Sequence, residues 1–186
     1  MPVVLLINLG TGALLGLVNA WLIDRLRALS IIISISTMSL YFALLMYFSG
    51  GKYIYGFPPW LSDPVVLFQL TGADGTPVNV TIPVVVMQIV AVVTAFIMKR
   101  TALGRQVYAF GGNPEAAKRA GINLFFVQAF AYGYLGLLAG LAGLVQAHRT
   151  GESVPAAMVG GELFVLAAAV LGGASLTGGS GSVAGV

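Results

Sequence analysis

Charge is scarce in this chain. Only 8% of its 186 residues are Asp, Glu, Lys or Arg, against about 25% in a soluble domain. Cysteine is absent, which excludes disulfides, thiolate chemistry and cysteine metal centres. The single histidine, His148, cannot build a metal cluster, so no metal site is expected. A nucleotide loop is missing too. Gly179-x-Gly181 has the glycines of one, but no strand precedes it and no Lys-Ser/Thr pair closes it. No cofactor is therefore expected in this chain. The opening "MPVVLLINLG" lacks the basic region of a signal peptide, and its apolar run is too long for one.

What is abundant is apolar surface: 58% of the residues are hydrophobic. They fall in runs of about 20, the length that crosses a bilayer core. Closed barrels read instead as alternating segments of about ten residues, a pattern not found here. The expected fold is an all-α polytopic transmembrane bundle in one domain, residues 1–186. Spans are expected over 3–23, 28–48, 78–98 and 124–147. A fifth apolar piece, 163–176, is short and fits either a tilted span or a re-entrant half-helix. Between the second and third spans lies the Gly/Pro/aromatic loop "SGGKYIYGFPPWLSDP", which reads best as an interfacial aromatic belt.

The basic residues alternate. Arg25, Arg27, Lys99, Arg100, Arg105, Lys118 and Arg119 occupy one set of loops, while only Lys52 and Arg149 occupy the other. Seven against two marks the first set as cytoplasmic. This distribution explains the net charge of +3, which is not read as affinity for nucleic acid.

Within that cytoplasmic set, "GGNPEAAKRAGIN" spells a complete small helix. Asn113 is an N-cap and Pro114 suits the first helical position. Glu115 lies in the first turn and Lys118 and Arg119 in the last, matching the helix dipole, and Gly121 supplies a left-handed stop. So short a helix is marginal alone and must pack against a partner.

The four spans carry no Asp, Glu, Lys, Arg or His, which argues against proton relays and charge-coupled pumping. Their polar residues are small and neutral; Asn19, Ser34, Thr37 and Gln128 are candidates for an uncharged translocation pathway. Equally, such residues bond neighbouring helices or their own backbone. Gly12-xxx-Gly16 and Gly136-xxx-Gly140 read as helix-packing motifs. The glycine-dense run containing Gly172, Gly173, Gly178, Gly179 and Gly181 reads as an unwound segment between membrane pieces.

"EAAKRAG" resembles the EAA loop of permeases from binding-protein-dependent ABC importers. "TALGRQVYAFGGNPEAAKRAGI", "GLLAGLAGLVQAHR" and "GGELFVLAAAVLGGASLTGGSGSVAG" resemble the branch that serves ribose, xylose and autoinducer uptake. The resemblance extends over nearly the whole chain, although Gly185-Val186 stands where the family carries Gly-Thr. It implies that Asn113, Pro114, Glu115, Ala116, Ala117, Lys118 and Gly121 form a cytoplasmic coupling helix docking on a separate ABC ATPase. That subunit would bind ATP and Mg. A second permease copy or homologue, a periplasmic solute-binding protein and the bilayer of a bacterial inner membrane complete the implied surroundings. Further spans are expected on both sides of this region, leaving the chain incomplete at both ends relative to the family. The implied function is inward transport of a sugar or sugar-like solute, with no enzymatic step in this chain. An ion-gradient-driven secondary transporter is the alternative; it would call for intramembrane acidic residues or an ion site.

Overall fold

The structure, a computed structural model, describes residues 2–58, 66–71, 77–155, 157–175, 177–183 and 185. The Trp60 portion of the aromatic loop, Leu176 at the end of the fifth expected span and Val186 lie outside them.

Among the described residues, four helices are long and apolar enough to cross a membrane: α1 (Pro2–Leu26), α2 (Ser30–Ser49), α3 (Ile82–Arg100) and α6 (Leu124–Thr150). Shorter helices are α4 (Ala102–Gly112), α5 (Pro114–Arg119) and α7 (Glu162–Leu171). The chain is an all-α polytopic bundle, and its charges within the long helices stand at their ends: Asp24, Arg25, Lys99, Arg100 and Arg149.

One expected boundary is corrected. Residues 78–81 belong to a strand, not to the third span. β1 (Val66–Thr71) and β2 (Pro77–Thr81) form an antiparallel pair with Gln69 opposite Asn79. Val78, Val80 and Thr81 are β-branched and suit a paired strand. The helix begins only at Ile82, with Pro83 in the first turn, where a missing amide costs no hydrogen bond.

α1 and α6 form the centre of the bundle. Gly12 faces Gly136, Gly16 faces Tyr132 and Gly133, and Gly140 faces Asn8, so the two helices run antiparallel. At Gly12 and Gly16 a Cβ would overlap the carbonyl oxygens of Gly136 and Tyr132. Backbone therefore packs on backbone, the close approach that small residues permit in membranes, where hydrophobic burial no longer drives association. Gly16, Ala20 and Ile23 of α1 are buried, as is Val127 of α6.

Polar contacts tie the outer helices to this centre. The Tyr41 hydroxyl donates to the Leu15 carbonyl at 3.3 Å, joining α2 to α1. Thr94 Oγ1 and Tyr134 OH lie 2.7 Å apart, joining α3 to α6. Much of the remaining surface is apolar and exposed; Phe164 and Leu171 of α7 are 81% and 88% accessible. A water-facing protein rarely carries such a surface, whereas lipid chains cover it without cost. At the end away from most basic residues, Ile54 and Ser153 exchange two backbone hydrogen bonds of 3.1 and 3.0 Å. The C-terminal ends of α2 and α6 thus meet on one side, as alternating spans require.

Candidate functional site

The polar segment between α3 and α6 is built from helices with almost no chain between them. Thr101 ends α3 and begins α4: its hydroxyl donates to the Ile97 carbonyl at 2.7 Å and accepts the Gly104 amide at 3.2 Å. Gly104 is buried against the end of α3, where a Cβ would meet the carbonyl of Ile97 at 2.5 Å. The bend is sharp because that residue has no side chain.

Asn113 likewise serves two helices. Its amide donates to the Ala109 carbonyl at 3.1 Å, closing α4, while its Oδ1 accepts the Ala116 amide at 3.0 Å, opening α5. α5 closes as firmly as it opens. Gly121 takes φ 82°, its amide reaches the Lys118 carbonyl at 3.0 Å, and the Ile122 amide reaches Ala117 at 3.1 Å. These two bonds are the Schellman arrangement, which satisfies carbonyls a helix end leaves orphaned. Asn123 then starts α6, its Oδ1 accepting the Phe126 amide at 3.1 Å.

In α5 only Ala117 is buried; Pro114, Glu115, Ala116, Lys118 and Arg119 are exposed, as is Gly121 beyond it. A short helix is thus fixed at both ends and inward at one alanine, while its charged face stands free of the described bundle.

The pathway candidates are more scattered. Asn19 is half-buried on α1, Ser34 and Thr37 lie on α2, and Gln128 is half-buried on α6. Among the described residues, the one bond between any of the four is local: the Thr37 hydroxyl reaches the Ser34 carbonyl at 3.1 Å, one turn away on α2. Thr37 is buried, and its hydroxyl donates to the Ile33 carbonyl at 2.9 Å, within its own helix. Asn19 differs: its Oδ1 is buried and lacks a hydrogen-bond partner among the described residues. No group of three or more His, Asp or Glu able to hold a metal occurs among the described residues.

The glycine-dense run divides in two. Gly172 and Gly173 end α7 with a second Schellman arrangement: Gly173, at φ 87°, donates to Val170 at 2.9 Å, and Ala174 donates to Ala169 at 3.0 Å. α7 is therefore ten residues long, about 15 Å, or half a bilayer core. Gly178, Gly179 and Gly181, all at positive φ, make a loop that rests on the end of α4.

α4 itself was not expected as a separate helix. Its signals were present: Thr101 in the N-cap position, then Leu103, Val107 and Phe110 on one stripe. Tyr108, which touches the glycine loop, carried no signal in the sequence.

A model for the family described as branched-chain amino acid transport system / permease component matches residues 1–186. The chain belongs to this permease family. The permease is 37% identical over 185 residues to a ribose import permease protein of Haemophilus influenzae, covering 100% of this chain and 55% of that one. It is 34% identical over 188 residues to an autoinducer 2 import system permease protein of Enterobacter sp. (strain 638), covering 100% of this chain and 52% of that one. A xylose transport system permease protein of Haemophilus influenzae is 43% identical over 108 residues, 58% of this chain and 29% of that one. The permease chain spans about half the length of the ribose and autoinducer relatives. No solved structure matches it.

Proposed function

We propose that this chain is the membrane-spanning part of an ATP-driven importer of a sugar or sugar-like solute, with α5 as the helix that docks on a separate ATPase subunit. The observation that carries the reading is α5 itself: six residues, capped by Asn113, stopped at Gly121, with one side chain buried. A helix this short gains little stability from its own hydrogen bonds. Its double capping and free charged face suit a rigid contact surface better than a linker.

ATP and Mg bind on the partner in this reading, and hydrolysis there moves α5 between two arrangements of the spans. A second permease copy or homologue completes the pathway, and a periplasmic binding protein delivers solute across from α5. The membrane is the bacterial inner membrane, with Arg25, Lys99, Arg100 and α5 on the cytoplasmic side. The family's description speaks of amino acids, whereas the relatives above are permeases for ribose, xylose and autoinducer 2. Spans that keep their charges at the helix ends favour the neutral, hydroxyl-rich solute over a zwitterion, which would leave two charges unmatched midway.

Affinity purification of the intact protein tests this directly, with an ATPase expected to co-purify. Glu115→Lys reverses the charge in the first turn, and Gly121→Val forces a β-branched residue into the left-handed region. Both variants are expected to insert in the membrane at normal abundance and to lose ATPase association or solute-stimulated hydrolysis. Normal transport and hydrolysis by both would reduce α5 to a solvated connection.

A further inference from the structure

The glycine loop and the end of α4 meet backbone against backbone. A Cβ on Gly111 would lie 2.8 Å from the Gly179 nitrogen and 3.4 Å from its Cα. From the other side, a Cβ on Gly178 would lie 2.5 Å from the Gly111 carbonyl oxygen. A third, polar link accompanies these: the Tyr108 hydroxyl donates to the Gly181 carbonyl at 2.9 Å. The loop is closed on itself, since the Ser175 amide reaches the Ser180 carbonyl at 3.0 Å and the Gly178 amide reaches Ser175 at 3.1 Å. On the opposite side of Gly111 only Gly112 and Asn113 precede α5, and Asn113 binds both helices.

We propose that Gly111, Gly178, Gly179 and Tyr108 form the joint that carries motion of α5 to α7. The inference rests on the importer reading. α4, Asn113 and α5 form one continuous hydrogen-bonded unit, so a displacement imposed on α5 displaces Gly111. Packed backbones transmit such a displacement because they lack side chains that could yield by changing rotamer. α7 ends at Leu171, shortly before Ser175 closes the loop, so the loop is the nearest lever on that half-length helix. These residues position other elements; they do not touch solute.

The geometry supplies its own control. Gly111 and Gly112 both have ordinary helical backbones, and the nearest atom to a Cβ on Gly112 is 3.8 Å away. Gly112→Ala therefore fits, whereas Gly111→Ala must push the loop away. The test uses the full-length permease with its co-purified ATPase in proteoliposomes. Spin labels at Arg119→Cys and Ser180→Cys, both exposed positions, report whether helix and loop move together. The label separation is expected to stay constant between nucleotide-free and ATP-bound states, and to lengthen in Gly111→Ala. Uptake per ATP hydrolysed is expected to fall about two- to thirtyfold in Gly111→Ala, with ATPase association kept, and to hold in Gly112→Ala. Tyr108→Phe should weaken coupling in the same direction. Unchanged uptake per ATP in Gly111→Ala, or a label separation that changes with nucleotide in the parent protein, would overturn the joint. Absence of any ATPase from the purified parent complex would instead overturn the importer reading, and this role with it.

Discussion

Gly12 and Gly136 occupy each other's side-chain space: the carbonyl oxygen of each stands where a Cβ of the other would go. Neither helix can therefore accept even a methyl group there without moving its partner. Gly136→Ala is expected to destabilise the bundle by about 1–3 kcal/mol, as overpacking does. Gly143, on the same helix, has no atom within 4 Å of its would-be Cβ. Gly143→Ala should be neutral or stabilising by about 0.5–1 kcal/mol, through helix propensity alone. Thermal unfolding in detergent checks both, and equal tolerance would mean that α1 and α6 do not pack this way. Gly140→Leu and Ala139→Leu form a second such pair, since Ala139 is exposed and Gly140 meets the Asn8 carbonyl.

The Thr94–Tyr134 pair is the polar tie between α3 and α6. Thr94 Oγ1 also lies 2.7 Å from the Val90 carbonyl, so it keeps a partner when the tyrosine hydroxyl is removed. Tyr134→Phe is expected to cost only about 0.6 kcal/mol, the typical value for interhelical bonds in a membrane. A double-mutant cycle with Thr94→Val measures the coupling; a value near zero would show the contact to be incidental.

Asn123 starts α6 by accepting the Phe126 amide. Asn123→Ala should cost about 0.5–2 kcal/mol, while Asn123→Asp or Asn123→Ser should retain most of the cap. Hydrogen exchange at the Phe126 amide is the local readout. It should accelerate in the alanine variant and not in the other two.

Orientation is checked by labelling. In a full-length protein cysteine-free elsewhere, Ala116→Cys and Asn79→Cys place single thiols at exposed positions of α5 and of β2. Impermeant reagent added outside should reach residue 79 and not residue 116, because seven of nine basic residues lie in the loop set that contains α5. Labelling of both from outside would reverse the topology.

Much of the fold was legible because lipid makes simple demands. Long uncharged runs had to be spans, and α5 announced itself through Asn113, Pro114 and Gly121, close together in sequence. Glycine spacing on α1 and α6 pointed to close packing, although only the structure pairs Gly12 with Gly136. The strand pair was hidden because Val78, Val80 and Thr81 continue the apolar character of α3, and hydropathy cannot locate a strand-to-helix boundary inside one run. α4 was hidden within a loop defined by its charge. The contacts of Tyr108, and the burial of the Asn19 Oδ1 without a partner among the described residues, depend on residues distant in sequence, and no local pattern encodes them.

Thr101 and Asn113 each serve two helices at once, and this limits what length changes the chain can absorb. One extra residue beside either would rotate everything beyond it by about 100°, a single step of an α-helix. Gly111 would turn away from the glycine loop, or α5 from the surface it presents. Insertions and deletions among related permeases should therefore spare the run from α3 to α6. Aligned by length alone, such sequences would keep one fixed ruler of residues from Thr101 to Asn123.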